Sequence, residues 1–138
     1  MYLRILVVLI LFIGQIQTSF ASHVMGADIT YTCLGNNTYQ VLLTIYRDCS
    51  GITPGTSQTI NFSSASCGAT ASLTVSNDSI VNVSQLCPTA TSTCNGGTQP
   101  GTEAWYYSGT ITLPQNCPDW VLYWSTCCRN NAITNLQT

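Results

Sequence analysis

Cysteine is the residue with the widest chemical choice in this chain, at Cys33, Cys49, Cys67, Cys87, Cys94, Cys117, Cys127 and Cys128. A thiolate can bind a metal, attack an electrophile or pair as a disulfide. Spacing separates these uses. A four-cysteine zinc site usually shows two close C-x2–4-C pairs. Here the intervals are long and irregular apart from the adjacent Cys127-Cys128, which disfavours zinc. Nucleophilic catalysis by Cys or Ser needs a histidine base. His23 is the single histidine. It lies beside the expected start of the exported chain, where a copper site would require a second imidazole, and it reads as a polar residue ahead of the first strand. Asp28, Asp48, Asp78, Glu103 and Asp119 are the acids. Glycoside hydrolysis uses a carboxylate pair, but these acids fall mostly at turns or beside cysteines. The expectation is no enzyme, no metal and no cofactor.

Disulfides remain, and the N-terminus supports them. Arg4 precedes an apolar run from Ile5 to Ile13, and Ser19-Phe20-Ala21 is a small-x-small cleavage site. That is the form of a signal peptide, a helical segment over residues 1–21, and it places the chain outside the cytosol, where cysteines pair. The apolar run is short of the roughly 20 residues of a membrane span, so no stable span is expected after cleavage. Residues 22–138 then form one domain. Neighbouring residues on a strand face opposite ways, so Cys127 and Cys128 should bond different segments. The expectation is that one reaches Cys87 or Cys94 and the other reaches Cys49, with all eight cysteines paired.

Charge is scarce. Lysine is absent, and after residue 21 the cations are Arg47 and Arg129. Nucleic-acid binding needs a basic footprint and is excluded. Both arginines lie near cysteines, in Arg47-Asp48-Cys49 and Cys127-Cys128-Arg129-Asn130-Asn131. A guanidinium there can crosslink carbonyls or a carboxylate, so Arg47, Asp48, Arg129 and Asn130 are assigned structural roles.

The elements that would position these residues are strands. Residues 27–33 and 39–49 alternate across Leu34-Gly35-Asn36-Asn37, which predicts a β-hairpin. Short strands follow at 58–63, 69–75 and 80–83, with Ser76-Asn77-Asp78 read as a turn. A long loop over 85–102 should be tied by Cys87 and Cys94. Glu103 to Leu113 and Trp120 to Thr126 read as a second hairpin through the Cys117 turn. Alternation puts part of Trp105-Tyr106-Tyr107 in the core; with Tyr123-Trp124, any exposed remainder could meet a glycan or a protein. Sequons at Asn36, Asn61, Asn77 and Asn82 carry no more weight than chance in so Asn- and Ser-rich a chain. The fold predicted is all-β, an immunoglobulin-like β-sandwich stapled by disulfides.

Four motifs in order, Ser22-His23-Val24-Met25-Gly26-Ala27-Asp28-Ile29-Thr30-Tyr31, Leu34-Gly35-Asn36-Asn37-Thr38-Tyr39, Ile45-Tyr46-Arg47-Asp48-Cys49 and Cys127-Cys128-Arg129-Asn130-Asn131, resemble the N-terminal module of large gliding-motility-associated or adhesin-like surface proteins of Bacteroidota. Gly26-Ala27 stands where that family usually has Gly-Gly. The resemblance implies cargo of the type IX secretion kind, secreted to the cell surface and followed by further domains. The chain stops just after an apparent strand start at Ala132-Ile133-Thr134 and so reads as the N-terminal part of a longer protein, or as a truncated gene product. The function expected is a non-catalytic structural or adhesive module. The alternative is a free-standing secreted carbohydrate- or protein-binding domain.

Overall fold

The computed structural model describes residues 24–126. The signal-peptide assignment, His23 and the Cys127–Asn131 motif lie outside them. Among the described residues the fold is all-β. The strands are β1 (Val24–Gly35), β2 (Thr38–Asp48), β3 (Ser57–Ser64), β4 (Ala69–Asn82), β5 (Thr102–Thr112) and β6 (Trp120–Tyr123), with one short 3-10 turn at Thr93–Asn95. No helix of the described residues is long and apolar enough to cross a membrane.

The β1–β2 hairpin forms where the alternation predicts it. Gly35 pairs with Thr38, which leaves Asn36-Asn37 as the two-residue loop. Both asparagines have positive φ, 51° and 58°, as a type I′ turn requires, and this backbone region suits Asn better than most residues.

The next two expectations are corrected. Residues 76–78 are not a turn. β4 runs straight through them with an irregularity between Asn77 and Ser79, where the Asn77 amide donates to the carbonyls of Ser79 and Tyr106. A bulge of this kind takes up one extra residue without ending the strand. The segments 103–113 and 120–126 do not form a hairpin either. β5 is paired on both sides, with β2 and with β4, so β6 crosses to the free edge of β3. The six antiparallel strands make one hydrogen-bonded sheet in the order β1-β2-β5-β4-β3-β6.

The sheet curls until it is nearly a barrel, and alternation decides what it encloses. Val41, Leu43 and Ile45 of β2, Ile60 and Phe62 of β3, Val75 of β4, and Trp105 and Tyr107 of β5 form the core with Leu113. Each large side chain taken from water contributes roughly 1.5–3 kcal/mol. Gly109 lies on the same inward face of β5. A Cβ there would sit 2.9 Å from Val75 Cγ1, so glycine lets β4 and β5 close over the core. Among the described residues the curled sheet leaves one seam, between the edge strands β1 and β6.

Candidate functional site

Two disulfides are present among the described residues. Cys49 bonds Cys94 and Cys67 bonds Cys117, with Cα–Cα distances of 5.0 and 6.2 Å. These distances are ordinary for disulfides. Each bridge fixes an irregular segment to the sheet. Cys49 follows β2 and holds the 85–101 loop through Cys94. Cys67, in the β3–β4 turn, holds the segment between β5 and β6 through Cys117. Cys94 is thus one of the two ties expected for the long loop, but its partner corrects the expectation for Cys49, which is not available to Cys127 or Cys128. Cys33 and Cys87 are exposed free thiols, so the pairing of all eight cysteines does not hold at these two positions. The spacing of cysteines carried no signal for this arrangement, because it depends on which strands neighbour in space.

Arg47 is the inward-facing residue at the Cys49 end of β2 and is only 6% exposed. Its Nη2 donates to the Cys49 carbonyl at 3.1 Å. Its Nε lies 3.6 Å from Glu103 Oε2, within ion-pair range but too far for a hydrogen bond. The same carboxylate oxygen accepts from Trp105 Nε1 at 3.1 Å, and the guanidinium carbon is 6.0 Å from the Trp105 ring centre. Arg47 thus joins β2, β5 and the backbone at the disulfide. Nε and Nη1 have no hydrogen-bond acceptor, so the guanidinium is buried and only partly satisfied. Asp48, next in sequence, accepts from the Ser50 amide at 2.8 Å and shapes the turn that carries Cys49. Cys49, Cys94 and Glu103 bring ligand-type atoms within 4.8 Å of one another. Two of those atoms are sulfurs bonded to each other, so the cluster does not offer a thiolate pair to a metal.

Glycine makes room for this junction. A Cβ on Gly101 would lie 2.5 Å from Cys94 Sγ. The Gly101 carbonyl accepts from the Cys49 amide at 3.0 Å, so the backbones on both sides of the bridge are also hydrogen-bonded.

Asp119 builds the corresponding clamp beside Cys67–Cys117. Its carboxylate accepts from Ser64 Oγ at 2.5 Å, Ser66 Oγ at 2.6 Å and the Ser66 amide at 2.8 Å. These donors, Ser64 first, hold its pKa down at about 2, as expected for a carboxylate whose charged form is hydrogen-bonded. Sequence reading placed Asp119 beside Cys117 without a partner. Ser64 and Ser66 lie more than fifty positions away in sequence, at separations of 55 and 53, and no local signal links them to it.

The acids are dispersed: Glu103 is engaged with Arg47 and Trp105, Asp119 with the two serines, and Asp48 with its own turn. The aromatic residues also separate. Trp105 and Tyr107 are core, and burial raises the Tyr107 pKa while its hydroxyl donates to the Gly55 carbonyl at 2.9 Å. Tyr123 is exposed on β6, separated from β5 by β4 and β3 in the sheet order. Trp124 donates to Gln58 Oε1 at 3.1 Å. No flat platform of the Trp105–Tyr107 and Tyr123–Trp124 residues results.

The aromatic concavity is elsewhere, in the seam. Tyr31 and Tyr39, edge to face with ring centres 6.0 Å apart, line it with Phe62, Leu113, Trp120 and Leu122 around a volume of about 160 Å³. Sequence reading could not find it, because it needs β6 to cross the molecule to face β1. No family model, curated protein or solved structure matches the chain.

Proposed function

We propose that the chain is a non-catalytic extracellular module with a structural or adhesive role in a bacterial cell-surface or secreted protein. The link to gliding-motility-type surface proteins of Bacteroidota, further domains in the same polypeptide and an immunoglobulin-like relationship are parts of this proposal and rest on the resemblance of the four motifs. The observation that supports the reading best is how the reactive groups are used. Arg47, Glu103, Asp119 and the cysteines at 49, 67, 94 and 117 fasten irregular segments to the sheet. Groups fixed in such contacts hold a scaffold rigid and do not converge on a substrate. Disulfides persist in oxidising compartments, which agrees with the export signal of the sequence.

The seam favours one further reading, a secreted domain that binds a carbohydrate or a protein segment, since it is lined by aromatic side chains. Beads coated with the exported protein separate the readings from enzyme action. The expected result is attachment to cells or to immobilised protein or glycan without consumption of either. Turnover of a polysaccharide that is lost in Glu103→Gln would overturn the non-catalytic assignment.

A further inference from the structure

The alternation that fills the core also decides what the outer face of β1, β2 and β5 presents. The strand registers set its outward residues in rows. Thr32 and Gln40 share one row, and Thr30, Leu42 and Ser108 the next. Asp28, Thr44 and Tyr106 follow, then Gly26, Tyr46 and Ala104. The first two rows, with Tyr31, line a concavity of about 220 Å³. Its Thr30, Thr32, Gln40 and Leu42 are exposed. In the next two rows Thr44 and Ala104 are buried, although they face away from the core. Tyr106 stands opposite Thr44 and Tyr46 opposite Ala104, so these half-buried rings lie along the sheet over the small residues. Asp28 is exposed beside them. The Tyr46 pKa is raised by partial burial and then by the Asp28 carboxylate, which puts the two groups within interacting range. Tyr106 is thus the member of the Trp105-Tyr106-Tyr107 run that stays outside the core.

We propose that this face binds a neutral carbohydrate chain, which packs on Tyr106 and Tyr46 and is hydrogen-bonded by Asp28 and the side chains of the concavity. The site gives the adhesive reading its ligand class, rests on that reading, and is separate from the seam. A sugar ring has a C–H face that packs against an aromatic ring, and hydroxyls that need donors and acceptors together. Thr and Ser hydroxyls and the Gln amide are both donor and acceptor, and a carboxylate is the stronger acceptor. Arg47 is the one cation of the described residues and is buried on the other side of the sheet, so the face presents no partner for an acidic polysaccharide. A peptide is served less well. β2 and β5 are hydrogen-bonded on both sides, and the main-chain bonds that hold an added strand are already used there. The concavity is smaller than the roughly 300 Å³ at which small-molecule pockets begin, which suits a chain lying across the surface.

Isothermal titration of the full chain, produced in an oxidising compartment, with neutral hexasaccharides (cello-, xylo-, manno- and laminarihexaose) tests this. The expected result is binding of at least one of them. Tyr106→Leu, which keeps an apolar side chain over Thr44, and Asp28→Ala, at an exposed position, should each weaken it at least tenfold while circular dichroism shows the fold intact. Val121→Ser, exposed on β6, should bind as the unaltered chain does. Binding that both site variants leave intact, or that only Trp120→Ala in the seam removes, would overturn the proposal. If coated beads attach to cells but no hexasaccharide binds, and protease treatment of the cells abolishes attachment, the partner is a protein: this site is overturned and the adhesive reading stands. Neither attachment nor hexasaccharide binding would overturn both.

Discussion

Arg47 and Asp119 are both held by contacts beside a disulfide, yet they differ in how completely they are satisfied. Asp119 has three donors on its two oxygens. Its pKa is lowered from 3.8 to about 2, so the unfolded chain binds the proton more readily than the folded one. The resulting stability is fully present above the unfolded value and is lost as pH falls from about 4 towards 2. Acid unfolding of the unaltered protein and of Asp119→Asn, followed by circular dichroism, should show this difference: the variant is less stable at neutral pH, and its disadvantage shrinks below pH 4. A constant gap from neutral pH to pH 2 would contradict the clamp. Arg47 is buried with one carboxylate at 3.6 Å and two nitrogens without acceptors. Removing Glu103 leaves that charge uncompensated, and breaking a buried pair costs about 3–5 kcal/mol; with Glu103 partly exposed, Glu103→Ala should lie at or below the lower end of that range in urea unfolding. The burial of Arg47 also predicts that limited trypsin leaves the Arg47–Asp48 bond intact in the oxidised protein and cuts it after reduction. Equal cutting in both states, seen by mass spectrometry, would show that the bond is not protected.

At the scale of elements, what was legible in the sequence was local. The β1–β2 hairpin could be read because alternating runs flank a turn whose Asn36-Asn37 chemistry fixes the register. The strand segments from 58 to 113 could be found because β-branched and aromatic residues alternate there. Pairing between distant segments could not. β5 lies between β2 and β4 and thereby excludes β6, although β6 follows it in sequence. The bulge at Asn77–Ser79 looked like a turn because its residues are turn-forming types. The disulfides followed the same logic: Cys49 meets Cys94 only because β5 brings the end of the long loop beside β2. The bridges span 45 and 50 residues, and each should add about 2–4 kcal/mol, mainly by restricting the unfolded chain. Replacing Cys67 and Cys117 together by serine should therefore lower the melting temperature clearly, and Gly101→Ala should do so at the other bridge by driving a Cβ against Cys94. Differential scanning calorimetry checks both; unchanged melting would mean that these bridges do not carry load.

At the scale of the whole molecule, a sheet curled around one core is fastened at both ends by a disulfide with a buried or multiply bonded charged residue beside it. That plan accounts for a domain with very few charges and several irregular connections. It is also the feature that the proposed structural or adhesive role depends on, since a surface module outside the cell must keep its loops in place. The direct measurement is peptide mapping by mass spectrometry, without reduction, of the full chain produced in an oxidising compartment. The account predicts Cys49 linked to Cys94 and Cys67 linked to Cys117. Cys49 linked to Cys127 or Cys128, or Cys67 and Cys117 recovered as free thiols, would contradict it.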